Sequence, residues 1–180
     1  DVFQTGSGTS TNMNANEVIA TLASQQLGST VNPNDHVNCG QSSNDVIPTA
    51  IHVSALIAID QQLLPALQTL QSAIAERESG LASSIKTGRT HLMDAMPLSF
   101  AQELSAWRAQ LQASEQRLVD SCKRLRQLAQ GGTAIGTGIN AAAGFSKSFA
   151  DKLTQITGTQ FLPADNLFAA IASQDLSLIH

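Results

Sequence analysis

Leu104, Leu111, Leu118 and Leu125 recur every seven residues, and Phe100, Trp107, Cys122 and Leu128 widen the stripe they form. A seven-residue apolar period keeps one seam of an α-helix facing a partner helix. The pattern opens at Pro97, a residue tolerated at the first helical position, and runs to Gln130. It predicts a helix about 48 Å long at 1.5 Å per residue. A compact monomer of 180 residues does not readily cover so long an element, so partner helices from other copies of the chain are expected, the alternative being a bundle closed within the chain. The fold class this implies is all-α, a bundle of long helices with polar loops at the helix ends. Composition agrees: 42% of residues are hydrophobic but only 4% aromatic, a bias towards small aliphatic side chains that pack helices closely.

The rest of the chain reads as further helices. Val18, Ile19, Leu22, Ala23 and Leu27 give residues 12–27 one apolar face, and Gly28 suits the left-handed position that ends a helix. A second helix is expected to open at Asn44 or Asp45, with Asp45 as its cap and Pro48 in its first turn. Val53, Leu56, Leu63, Leu67, Leu70 and Ile74 continue it, and Pro65 inside the pattern predicts a kink. Residues 79–97 read as a polar connection. A glycine-rich hinge at 131–140 precedes helices over 146–157, closed by Gly158, and over 164–179. No stretch shows the alternation of a strand.

Three polar loops interrupt this helical frame. Residues 5–17 carry eight hydroxyl or amide side chains (Thr5, Ser7, Thr9, Ser10, Thr11, Asn12, Asn14 and Asn16) against one charge, Glu17. Neutral donors beside glycines can surround a small anion, with help from the free N–H groups of a helix N-terminus; the same residue types also cap helices. Gln41-Ser42-Ser43-Asn44-Asp45 stands directly before the second helix, where the positive dipole end favours an anion. Asn32-Pro33-Asn34-Asp35-His36 has the composition of a turn with Asx hydrogen bonds, and His36 and His52 read as structural histidines. The third loop, Lys86 to Asp94, offers Thr90 as a donor to substrate oxygen and His91 as a proton carrier near neutral pH. In the bland alternative Arg89 pairs with Asp94 and His91 only fills space.

Several functions are disfavoured. The net charge is −4 with dispersed basic residues, which argues against nucleic acid as a partner. No uninterrupted apolar run approaches the about 20 residues of a membrane span. The histidines at 36, 52, 91 and 180 lack HxH or HxxxH spacing, so no metal site is expected. The glycines at 131–138 match neither GxxxxGK[ST] nor GxGxxG, so no nucleotide cofactor is expected. Cys39 and Cys122 are not in a CxxC pair and fit free thiols in a reducing compartment, the cytoplasm or, in a eukaryote, the mitochondrial matrix. Beginning inside a polar motif without an initiator Met and stopping inside an apolar pattern, the sequence reads as an internal piece of a longer protein.

Taken together, five segments resemble the class II fumarase and aspartase superfamily. They are Gly6-Ser7-Gly8-Thr9 through Asn12-Met13-Asn14-Ala15-Asn16-Glu17, Pro33-Asn34-Asp35-His36-Val37-Asn38, Gln41-Ser42-Ser43-Asn44-Asp45, Gly88-Arg89-Thr90-His91-Leu92-Met93-Asp94-Ala95, and 132–140. The resemblance implies a homotetramer around a central bundle, with active sites built from three subunits and no cofactor. Residues 1–40 would end an N-terminal domain and 41–180 would begin the bundle. Ser7, Gly8 and Thr9, Ser42, Ser43 and Asn44, and Thr90 would bind a dicarboxylate, and His91 would hold a catalytic water or relay a proton. Asn32, Asn34 and Asp35 would form a secondary dicarboxylate site.

The reaction implied is removal of a proton beside a carboxylate and loss of water or ammonia from the neighbouring carbon, through an aci-carboxylate dianion. Ser43 and His91 look like the fumarase choices, giving reversible hydration of fumarate to L-malate. Asn32, where fumarases usually place His, and the local Asn-Pro-Asn-Asp look like an aspartate ammonia-lyase, and a non-catalytic helical assembly protein is a third possibility. The family's mobile loop, G-S-S-x-M-P-x-K-x-N-P, carries the proton-abstracting serine and is not in this sequence. The piece alone is therefore expected to be inactive.

Overall fold

The structure, a computed structural model, describes residues 8–172. Ser7 and the end of the helix expected over 164–179 lie outside the described residues. The chain separates into two compact units, one of residues up to Leu56 together with those from Lys123 onward, the other Ile57–Cys122.

In the first unit, α1 spans Thr9–Leu27, three residues longer at its start than the apolar pattern indicates. Gly8 precedes it in the left-handed region, at φ 75°, and Asn12 N–H donates to its carbonyl at 3.0 Å. Gly28 closes the helix as expected, its N–H donating to Ser24 O at 3.0 Å. A π-helical turn covers Pro33–Val37, followed by α2 at Ser43–Ala58. Pro48 falls at the sixth residue of α2 rather than in its first turn, leaving the Asn44 carbonyl no N–H one turn on. After α4 (Phe100–Leu125), the short strands Gln127–Leu128 and Leu162–Pro163 pair in parallel, and α5 (Phe145–Thr157) and α6 (Leu167–Ala172) are the remaining helices among the described residues of this unit. Leu56, Leu125, Leu128, Ala150 and Phe161 are among its buried apolar residues. His52, buried on α2, holds Gln127 O at 3.0 Å through Nδ1, in keeping with a structural histidine.

Gly8 also meets α2. A Cβ there would lie 2.7 Å from Ile47 Cγ1, whereas one at Gly28, equally left-handed, would meet nothing. Gly28→Ala is therefore expected to cost only the backbone strain of about 1–2 kcal/mol. Gly8→Ala should lose more, and thermal unfolding of the two variants measures the difference.

The second unit begins with a π-helical turn at Ile59–Leu63, where Leu64 N–H reaches back to Ile59 O, and continues as α3, Leu64–Gly80. This is the disturbance expected from Pro65: the widened turn precedes a residue with no N–H and a ring that crowds the preceding turn. The stretch expected as a polar connection is instead an antiparallel hairpin, β1 (Ile85–Thr90) and β2 (Met93–Ser99), in register Ile85↔Ser99 to Thr90↔Met93. Most of its side chains are exposed, so it carries none of the apolar alternation that betrays a half-buried strand.

Pro97 accordingly lies in β2 opposite Thr87, and α4 starts later, at Phe100–Leu125. A capping box fixes that start: Gln102 N–H donates to Ser99 Oγ at 3.1 Å and Ser99 N–H to Gln102 Oε1 at 2.9 Å. The helix is about 39 Å long rather than 48 Å. It stops before Gln130 because Arg126 O and Leu128 O accept from Leu162 and Ala164 N–H instead of from the next helical turn.

Polar ties join α3 to α4. Arg108 donates to both Glu78 carboxylate oxygens through Nε and Nη2, at 2.7 and 3.0 Å, and holds the Glu78 carboxyl below its usual pKa. Gln68 and Gln71 donate to Glu115. Among the described residues of this unit only Ile59, Ser99 and Cys122 are buried, while Trp107 is 52% exposed and Leu70 48%. Along the heptad seam Leu104, Leu111 and Leu118 are only partly buried.

By length and composition alone the helical run Ser43–Gly80 is apolar enough to cross a membrane. Counting only uninterrupted apolar residues misses this, because Asp60, Gln61 and Gln62 break the run. Its buried face carries Asp45, Thr49 and His52, which suits packing against protein.

Candidate active site

The N-terminus of α2 is the point on which the first unit's polar residues converge. Ser42 rather than Asn44 or Asp45 is its cap: Asn44 N–H approaches Ser42 Oγ at 3.3 Å, and Ser42 N–H donates to Asp45 Oδ1 at 2.8 Å. Asp45 is thus the third helical residue reaching back, the reciprocal half of a capping box. Its other oxygen leaves the helix. Oδ2 accepts from Thr133 N–H at 2.8 Å, Gly131 N–H at 3.0 Å and Gln130 Nε2 at 3.3 Å. Asp45 is fully buried, and burial pushes its carboxyl above the ordinary pKa against the pull of the N–H donors of Ser42, Thr133 and Gly131. Asn44 adds a fourth tie to the same loop, Nδ2 to Ala134 O at 2.7 Å. The glycine-rich segment expected as a hinge is thus tied to α2 at its start.

Two buried asparagines carry the link back to α1. Asn12 Nδ2 donates to Ser43 Oγ at 3.0 Å and to Asn38 Oδ1 at 3.2 Å, and Asn16 Nδ2 donates to the same Asn38 oxygen at 2.9 Å. Spaced four residues apart, Asn12 and Asn16 share one face of α1. This network ties the Gly8–Thr9 end of α1 to the Ser42–Asn44 turn. Asn12, Asn16 and Asn38 stand in polar segments that the sequence singles out, but their supporting role, like that of Gln130, shows only in these hydrogen bonds, with Asn38 half-buried and the other three buried.

A cleft of about 520 Å³ opens beside this turn, its walls including Asn34, Asp35, Cys39, Ser42, Ser43 and Thr133. Of the residues expected to bind a dicarboxylate, Ser42 and Ser43 line it, while Gly8, Thr9 and Asn44 lie on the elements bonded around it. The secondary-site residues divide. Asn32 Oδ1 caps the π-helical turn, accepting from Asn34 and Asp35 N–H at 2.8 and 3.0 Å, and Asn32 N–H donates to His36 Nδ1 at 2.9 Å. That leaves Asn34 and Asp35 on the cleft wall and Asn32 and His36 in structural roles.

Thr90 and His91 belong to the second unit, at the tip of the β1–β2 hairpin, and both are exposed. The two-residue turn His91-Leu92 has positive φ at both positions, 51° and 63°. Such turns favour Asn-Gly; here the sequence places an imidazole and a branched aliphatic chain under backbone strain. Arg89 does pair with Asp94, Nε to Oδ1 at 3.2 Å, but with both side chains mostly exposed the pair contributes little. No group of three or more metal-ligating side chains occurs among the described residues.

The helical architecture carries a polar cleft at a helix N-terminus, and a lyase family model matches residues 1–178. The chain belongs to that family. Within it the chain is similar to class II fumarate hydratases: 55% identical over 178 residues to "fumarate hydratase class II 2" of Pseudomonas aeruginosa, covering 99% of this chain and 39% of that one. It is 58% identical over 175 residues to the class II enzyme of Xylella fastidiosa, covering 97% and 37%. The structure superposes on the class II fumarase of Schistosoma mansoni with a TM-score of 0.91 at 41% identity, covering 99% of this chain and 42% of that one. For the fumarate lyase:delta crystallin of Brucella melitensis the TM-score is 0.85 at 42% identity, with 95% and 38% covered. The chain spans about two fifths of the length of these relatives.

Proposed function

We propose that the whole protein reversibly hydrates fumarate to L-malate. The observation that carries this reading is the set of neutral donors held at the α2 N-terminus, with Ser42 and Ser43 on an open cleft and Asp45 fixing the loop beside them. Such donors suit a dianion whose charge develops only in the transition state, because they are already oriented when it forms. In this reading Ser7, Gly8, Thr9, Ser42, Ser43, Asn44 and Thr90 bind substrate carboxylates, and His91 holds the water or relays a proton. Asn34 and Asp35, supported by Asn32, form the secondary dicarboxylate site.

The cover that the second unit's seam lacks points to other subunits. We place residues 1–40 at the end of an N-terminal domain and 41–180 in the central bundle of a homotetramer, with each active site drawn from three subunits and the assembly in the cytoplasm. The missing base, carried on a loop beyond this sequence in the family's pattern, leaves the piece itself inactive.

The test is to supply the full-length protein with L-malate and separately with L-aspartate, following the ultraviolet absorbance of fumarate. Fumarate is expected from malate. Turnover of aspartate alone would assign the protein as an ammonia-lyase, which the Asn32-Pro33-Asn34-Asp35 run favours, and turnover of neither would leave a non-catalytic assembly protein.

A further inference from the structure

Ser43 is half-buried on the cleft wall, and a serine hydroxyl can meet a ligand either as donor or as acceptor. An anionic ligand needs the donor. Asn12 Nδ2 donates to Ser43 Oγ at 3.0 Å, which fills one of the hydroxyl's lone pairs. No acceptor among the described residues takes the Ser43 O–H, so that proton is left for a ligand.

The orientation of the Asn12 amide follows from its neighbours. Asn16 Nδ2 lies 2.9 Å from Asn38 Oδ1 and 3.8 Å from Met13 Sδ. A thioether sulfur only accepts, so the Asn16 nitrogen faces it and the Asn38 oxygen faces Asn16. The same Asn38 oxygen lies 3.2 Å from the Asn12 amide, which must therefore present its nitrogen. One N–H of Asn12 is thus spent on Asn38 and the other on Ser43. Asn12 is only 4% exposed and is not on the cleft wall.

Resting on the reading of this cleft as a dicarboxylate site, we propose that Asn12 is a positioning residue that holds the Ser43 hydroxyl as a donor to the substrate carboxylate. It acts through Ser43 alone. An acceptor at the same place would draw the Ser43 proton to itself and turn the oxygen's lone pairs towards the incoming carboxylate. A donor does the reverse, and it also strengthens the bond that the polarised hydroxyl makes in turn.

The experiment is a double-mutant cycle between positions 12 and 43 of the full-length protein, with fumarate hydration, succinate binding and thermal unfolding measured for each variant. Asn12→Asp keeps the shape of the side chain and reverses the contact, because a carboxylate accepts the proton that the ligand should receive. Its kcat/KM is expected to fall about 10²–10³-fold, the loss that follows removal of one oxyanion donor. The fall should lie mainly in kcat, since the bond counts most once charge has developed. Succinate, on which no such charge develops, should lose less affinity than the reaction loses rate. Asn12→Ala merely frees the hydroxyl and should cost about 3–10-fold, as for one neutral hydrogen bond. In a Ser43→Ala background the Asn12→Asp loss should shrink by at least about tenfold, the mark of two residues acting as one unit. Asn16→Ala frees the same Asn38 oxygen without touching Ser43, so it should lower the unfolding temperature and show no coupling to Ser43→Ala. Should Asn12→Asp not fold, the Asn12→Ala cycle carries the same test through the disappearance of its loss in the Ser43→Ala background.

Losses that multiply independently across positions 12 and 43, or a lower unfolding temperature with kcat unchanged, overturn the proposal. Hydration by the parent protein keeps the dicarboxylate reading in place in either case. If Ser43→Ala leaves hydration and succinate affinity intact, Ser43 is no donor and Asn12 has nothing to position. A parent protein that neither hydrates fumarate nor binds succinate removes the reading itself, and the proposal with it.

Discussion

Replacing His91 by Asn in the full-length protein is expected to lower fumarate hydration by about 10²–10⁴-fold, the range typical of a general acid–base group. Asn is the informative substitute because it tolerates the left-handed backbone that His91 occupies at φ 51°. The hairpin tip should therefore keep its shape while the ionisable group disappears. The side chain is exposed and no hydrogen bond to another described residue holds it, so assembly, followed by sedimentation, should not change. Leu92→Gly supplies the complementary control. Leu92 is 95% exposed at φ 63°, and glycine relieves its strain, so stability should rise by ~1 kcal/mol. If turnover falls in that variant although the protein is more stable, the strained turn is positioning His91. Unchanged turnover in His91→Asn would remove this residue from the mechanism.

The hairpin also shows where sequence reasoning stops. Helices announced themselves through period and punctuation: Gly28 and Gly158 end α1 and α5 where the pattern places them, and Pro65 marks the disturbed turn before α3. The hairpin gives no such signal, because a two-stranded ribbon exposed on most of its surface needs no alternating apolar face. Its evidence lies in Gly88, at a break in the β1–β2 register, where a Cβ would sit 2.5 Å from Met96 O. The end of α4 was hidden for another reason. Residues 126–130 have helical composition, but their backbone partners arrive from Leu162 and Ala164, more than thirty residues away, and tertiary pairing overrides local propensity.

The candidate site divides in the same way. Residue types that neutral recognition demands are visible in the polar loops, so Ser42, Ser43 and Asn44 could be named from sequence. The supports beneath them could not. Asp45 reads as an ordinary cap because capping is a local property, whereas its second oxygen serves residues 85 to 88 positions away. Nothing in a one-dimensional pattern distinguishes an aspartate that caps from one that also anchors a distant loop.

Asp45→Ala is expected to destabilise the protein by about 3–5 kcal/mol, because it strips the shared acceptor from several buried donors, each of which costs about 1–3 kcal/mol when left unsatisfied. Against a typical total of about 5–15 kcal/mol, that leaves little margin, and urea unfolding of the full-length protein should register it directly. Asp45→Asn tests the electrostatic half of the argument. Burial raises the folded-state pKa of this carboxyl above its unfolded value. The stability linked to its protonation is therefore fully present below the unfolded pKa and lost as pH rises through the raised folded one. The amide cannot titrate, so this pH-dependent limb should vanish from the unfolding free energy of Asp45→Asn. Its NH₂ group, however, faces N–H donors and cannot replace both oxygens. Substrate affinity should weaken with stability in both variants, since the same carboxylate sets the Ser42 turn and the 131–133 segment. A variant that kept full stability would show that solvent can satisfy those donors, and the tie between α2 and the glycine-rich loop would lose its structural role.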